Sequence, residues 1–314
     1  MTTRTTSLLV LTLAPAATAW LSGLTEAAAF LGLGTLLAMQ LAVQARPAAI
    51  FALLLPVLYL AAAVTAHSID AVVALVAAIA AAVGAAASLG LHRGLVSLLA
   101  AALLGSFGPT VPNDALLDSG WLLAGAVYGW VMAVTLLRTV NLASRPVDAQ
   151  AALGYAVLLA CVTLCAWFAA RVGGFAHPWW IPLAAVAVSE PIPEPGATRA
   201  LLRMVLAAVA TMVLVFVTDV FETPGSRAAL VVPMLAAGIV AARWRRPLAA
   251  VYLTPVLLLL SGQPASYEPP LDYLLDCLAA FIPVLLVSSV GHWAYWTLRP
   301  AARRVEPSAE PGSA

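Results

Sequence analysis

No lysine occurs in these 314 residues. The phosphate-binding loop of nucleotide hydrolases, G-x-x-x-x-G-K-[ST], needs one, so any movement against a gradient must draw on an ion gradient or an energised partner. Charge is scarce altogether: charged residues make up 9% of the chain against 63% hydrophobic ones, and mean hydropathy is +1.00. A soluble domain needs far more polar surface than this to cover its core. Cysteine is rare too. Cys161 and Cys165 lie four apart, neither a C-x-x-C redox pair nor a zinc spacing, and with Cys277 they read as small buried packing residues. His67, His92, His177 and His292 have no metal-ligand spacing, and no G-x-S-x-G nucleophile motif is present. No catalytic activity, metal, cofactor or nucleic acid is expected.

What fills the chain is apolar sequence, in runs near the ~20 residues a helix needs to cross hydrocarbon about 30 Å thick. The runs at 7–23, 27–44, 47–66, 71–90, 94–110, 119–138, 150–171, 178–190, 200–220, 228–242, 247–263 and 271–298 predict an all-α, polytopic membrane bundle of about twelve helices. The opening segment also has the outline of a signal peptide, one arginine before a short apolar stretch and Ala-x-Ala-like triplets. Either way residues 20–26 fall outside.

Arginine fixes the orientation. Placing the spans alternately puts Arg4, Arg46, Arg93, Arg138, Arg145, Arg199, Arg203, Arg243, Arg245, Arg246, Arg299, Arg303 and Arg304 on one side, and Arg171 and Arg227 on the other. The first side is cytoplasmic by the positive-inside rule, and both termini lie there. Asp114 and Asp118 are among the acids that fall outside. The polar break RTVNLASRPVDAQ (138–150) divides the chain into a first half, 1–145, and a second, 146–300, of six helices each, followed by a disordered cytoplasmic tail, 301–314. Gly125 and Gly129 share one helix face and let backbones approach. Trp20, Trp121, Trp179, Trp180 and Trp244 read as an interfacial belt at the span ends.

The stretch HPWWIPLAAVAVSEPIPEPGATRALLRM (177–204) departs from this pattern. Its apolar part is too short to cross, because Pro178 and Pro182 near its start and Pro191, Pro193 and Pro195 at its end stop the helix and leave carbonyls that lipid cannot satisfy. Short, proline-interrupted segments mark transporter binding sites. Arg199 and Arg203 follow on one face of the next helix start, where free N–H groups and the positive dipole end also favour anions. The two are either ordinary positive-inside anchors or the candidate carboxylate site, with Glu190 as an ion-pair partner and Trp180 as a further substrate-binding residue. Asp276, one turn beyond Asp272, is a candidate proton carrier or a helix-start acid, and His292 a candidate proton relay or a packing histidine.

This stretch, with RRPLAAVYLTPVLLLL and DYLLDCLAAFIPVLL after it, resembles the membrane domain of the FUSC family, the fusaric-acid-resistance and aromatic acid exporter group, over roughly residues 150–298. The phrase around Thr254 and Pro255 matches most closely, and Arg203 corresponds to the arginine that begins the helix after the loop. The family usually follows that arginine with a Gly-Thr pair and another glycine, where this chain has Val205, Leu206 and Ala207; its customary long cytoplasmic domains have no counterpart here. The resemblance implies a proton-driven inner-membrane exporter of aromatic or amphipathic weak acids, partnered by lipid, a small organic anion, and a periplasmic adaptor or a second copy of the chain. The competing reading is a non-transporting scaffold or accessory subunit of an efflux assembly. A third, an intramembrane enzyme using Asp272 and Asp276 with a metal, has no second acidic cluster to support it.

Overall fold

The computed structural model describes residues 14–19, 22–108, 112–136, 145–175 and 178–189, with isolated helical positions at 205 and between 279 and 290. Every regular element among the described residues is a helix. After a helical stretch at 14–19 these are, in chain order, α1 (Thr25–Gln44), a 3-10 helix (Arg46–Leu54) running directly into α2 (Leu55–Thr65), α3 (Ile69–Ala85) ending in a short 3-10 turn (Ala86–Leu89), α4 (His92–Ser106), α5 (Pro112–Thr135), α6 (Ala149–Val172) and α7 (Trp180–Val188). Five helical stretches, Ala27–Gln44, Arg46–Thr65, Ile69–Leu89, Pro112–Thr135 and Ala149–Val172, are long and apolar enough to cross a membrane; His92–Ser106 is apolar but shorter. The chain is a multi-pass membrane protein. The expected spans from 200 onward lie outside the described residues.

Local chemistry sets the helix starts. Ser68 Oγ accepts the Ala71 N–H ahead of α3, and Asp148 Oδ1 accepts the Ala151 N–H at 2.8 Å ahead of α6, each satisfying a donor that the first turn leaves open. Gly90, at φ 70°, ends the 3-10 turn after α3 in a left-handed conformation that costs glycine nothing.

α5 departs from the sequence expectation. The hydropathy window places its span at 119, after two aspartates, but the helix begins at Pro112, whose fixed φ suits a first turn and whose follower Asp114 complements the helix dipole. Asp118 thereby lies six residues into the helix, and Trp121 nine. Trp121 lines an open groove of about 550 Å³ along α5 with Asn113, Leu116, Leu117, Gly120 and Ala124. The reading of Cys161 and Cys165 as buried is also overturned: both are exposed free thiols on α6, on the face turned away from the buried Leu159, Val162 and Ala166.

Hydrogen bonds between elements give the helix directions. Gln40 Nε2 near the end of α1 donates to the Arg93 carbonyl at the start of α4, and Val147 N–H before α6 donates to the Ala87 carbonyl after α3. Arg46, Arg93 and Arg145 therefore gather at one end, here the basic end. Arg171 lies at the other, donating through Nη2 to the Ala66 carbonyl just past α2 at 2.9 Å.

Packing between helices runs through small residues. α1 and α5 lie parallel and so close that a Cβ on Gly34 would collide with the Leu122 carbonyl, one on Gly125 with the Leu31 carbonyl, and one on Gly129 with the Thr35 carbonyl. Thr35 Oγ1 donates to Leu31 O at 2.7 Å and reaches across to Gly125 O at 3.2 Å. Gly84 brings α3 against Ala156 of α6 in the same way, and Gly105 of α4 lies on the backbone of Tyr59 in α2.

Candidate functional site

The apolar stretch that begins at Trp179 stays helical for only nine residues, Trp180–Val188. At 1.5 Å per residue α7 is about 14 Å long, less than half of the ~30 Å hydrocarbon layer. Ser189 turns extended at ψ 126° and ends it. The reason is legible in the sequence: a continuing helix would offer the Ser189 carbonyl to the N–H of residue 193, and Pro193 has none.

The bundle supplies the missing donor. Tyr155 Oη of α6 donates to the Ser189 carbonyl at 3.2 Å, while Ser189 Oγ donates back to Ala185 O at 2.8 Å. Tyr155 is six residues into α6, so the break lies about 9 Å in from the basic end of that helix. The Tyr155 ring is 1% exposed and meets the ring of buried His92, at the start of α4, edge to face at 5.6 Å between centroids. Non-helical backbone thus falls inside the bundle beside a tyrosine and a histidine, as expected where it is covered by protein. His92 has no metal-ligand spacing in the sequence, and Tyr155 leaves no sequence signal, since the contact joins α6 to α7 across 34 residues. Replacing Tyr155 with Phe removes one hydrogen bond and leaves the ring in place, so we expect a loss of about 1 kcal/mol, read as a lower unfolding temperature of the detergent-solubilised protein.

A second polar level lies toward the opposite end. Tyr59 of α2, 1% exposed, donates through Oη to Asp118 Oδ2 of α5 at 3.1 Å, its ring edge-on to Phe30 at 5.4 Å. Next to it, Ser119 Oγ donates to the Pro56 carbonyl at 3.0 Å, so α5 is tied to α2 twice. The end of α4 wraps this pair: a Cβ on Gly108 would lie 3.0 Å from Tyr59 Oη, so residue 108 must be glycine or the hydroxyl must move. Beside Gly108, Phe107 and buried Trp167 carry the Arg171 guanidinium, 5.6 Å and 5.3 Å from their ring centroids, and Trp167 Nε1 donates to Ser106 Oγ at 3.0 Å. Arg171, at the end opposite Arg46, Arg93 and Arg145, is therefore held by two aromatic faces and a helix-end carbonyl.

Of the residues singled out from sequence, Trp180 opens α7, and its side chain is outside what the structure describes. Glu190, Arg199, Arg203, Asp276 and His292 also lie outside the described residues. Among the described residues no group of His, Cys, Asp and Glu could hold a metal ion.

Against known proteins, residues 164–287 match the family model of fusaric acid resistance protein-like proteins, FUSC_2. No curated protein and no solved structure shows significant similarity to the chain. The matched stretch opens within α6 at Leu164, takes in Trp167, Arg171 and all of α7, and continues past Arg203 to Val287. Over these residues the chain is similar to the FUSC family.

Proposed function

We propose that this chain is a proton-driven exporter of aromatic or amphipathic weak organic acids in the inner membrane. Its basic end faces the cytoplasm, as do both termini, and about twelve helices form two halves, 1–145 and 146–300. The family match supports transport or a resistance-type role. The observation that carries the reading is the break of α7 at Ser189 within the bundle, since such breaks are where transporters bind substrate. In this reading Arg203 and Arg199 receive the carboxylate arriving from the cytoplasm, Glu190 pairs with them when the site is empty, and Trp180 meets the ring. Asp276 and His292 carry protons.

The test compares the weak-acid sensitivity of cells with and without the gene. Expression is expected to lower accumulation of salicylate or benzoate, and the difference is expected to vanish when the proton gradient is collapsed. Equal accumulation in both strains would end the exporter reading.

A further inference from the structure

We propose that Asp118 is a proton-carrying carboxylate on the non-basic side of the bundle, with Tyr59 as the residue that positions it. The inference rests on the exporter reading for its purpose and on the Tyr59–Asp118 geometry for its residues.

Asp118 is six residues into α5 and Tyr59 six residues before the end of α2, so each lies about 9 Å in from the end of its helix. α5, and α2 together with the 3-10 helix before it, are long and apolar enough to span. A carboxylate at such a place is costly when ionised. Fastening α5 to α2 does not require one, because the adjacent Ser119 does so with a neutral hydroxyl on Pro56 O. What a carboxylate adds to a second fastener is the capacity to exist in two protonation states.

The surroundings suit that use. α5 packs against α1, α2 and the Arg46–Leu54 3-10 helix. Of these, α2 presents the Tyr59 hydroxyl to the carboxylate; α1 contributes Phe30 against the Tyr59 ring and, further along, Leu31 and Thr35 against Gly125 and Gly129, and none of these three titrates, while Glu26 stands in the first turn of α1 at the Asp118 end. The 3-10 helix carries Arg46 at the basic end. On α5 itself Asp114 is one turn nearer the helix start, and Tyr128 lies nearly three turns deeper. Arg171 is at the same end, beyond Phe107.

The step balances simply. Hydronium on the outer side gives its proton to the Asp118 carboxylate, an O–H bond forms, and water leaves; the reverse step returns the proton after the bundle has reoriented. Ionised Asp118 accepts from the Tyr59 hydroxyl, whereas protonated Asp118 is also a donor and can reverse that bond. The α2–α5 contact therefore differs between the two protonation states, as a coupled transporter requires.

The experiment uses the full chain in proteoliposomes with salicylate as substrate. Asp118→Asn keeps an acceptor for Tyr59 and cannot ionise. It is expected to lower pH-gradient-driven accumulation by about tenfold or more while leaving salicylate counterflow, which needs no net proton transfer, within about twofold of wild type. Tyr59→Phe is expected to keep accumulation but move its pH dependence. Unchanged accumulation in Asp118→Asn would overturn the proposal, as would equal loss of accumulation and counterflow in folded protein, which would place Asp118 in binding. Should the wild type move no salicylate, the exporter reading fails separately. Infrared difference spectra of the protein alone, taken between about pH 5 and about pH 9, then decide: a protonated-carboxyl band absent from Asp118→Asn upholds the assignment, and identical spectra reject it.

Discussion

Arg203→Ala is expected to cut export of salicylate by about thirtyfold to 150-fold at equal protein level in the membrane. A guanidinium holds a carboxylate through two parallel hydrogen bonds, and a charge-assisted contact of this kind is worth about 2–3 kcal/mol, which converts to that factor. Arg203→Lys keeps the charge but loses the planar fork, so it is expected to fall between wild type and alanine. Arg199→Ala is expected to have a smaller effect, because the proposed reading puts Arg199 one turn nearer the cytoplasm, where water would screen its charge more. The measurement is initial efflux from preloaded cells. Unchanged efflux in Arg203→Ala would remove this residue from the substrate path and with it the role assigned to the helix restart after the proline series.

The second large effect concerns the bundle itself. Gly125→Leu is expected to remove folded protein from the membrane, because its side chain would have to enter the carbonyl of Leu31, a backbone atom that cannot swing aside. Overpacking a closed interface costs about 1–3 kcal/mol even where side chains can adjust; here two main chains must separate, and the Thr35–Gly125 hydrogen bond goes with them. Gly129→Leu meets the Thr35 carbonyl in the same way. The controls are built into the sequence: a Cβ at Gly120 or Gly154 meets nothing within 4 Å, so leucine there is expected to leave expression and thermal stability near wild type or slightly higher, since glycine is the weaker helix former. Size-exclusion profiles of detergent extracts separate these outcomes. If all four variants behaved alike, close approach of α1 and α5 would not be what holds the bundle.

These two expectations differ in how far sequence alone could reach them. The Gly125–Gly129 spacing announced a close contact, because small residues on one helix face have few other uses in lipid, but it could not name the partner; Gly34 on α1 emerges only when the helices are assembled. Span limits were legible within a few residues wherever hydropathy changes sharply, as at Thr25–Gln44 and Ala149–Val172. They failed at α5, where Asp114 and Asp118 lower the hydropathy of a turn that is nonetheless helical. The end of α7 was readable because proline chemistry is local. Tyr155, His92 and the Tyr59–Asp118 pair were not, since each contact joins distant parts of the chain and none leaves a periodic trace. The cysteines misled because a small apolar residue in a membrane helix suits a lipid face as well as a buried one.

The Arg46–Leu54 segment sets the reach of its span. Wound as a 3-10 helix, it turns three residues per revolution, which stacks Ala49, Ala52 and Leu55 into one inward row and Phe51, Leu54 and Val57 into an outward one. Rewinding the same nine residues as α-helix would shorten the rod by about 4.5 Å and swivel one end against the other by about half a revolution. Arg46 opens this segment and Tyr59 follows it by five residues, so its winding sets both the height and the azimuth of the tyrosine relative to the cation.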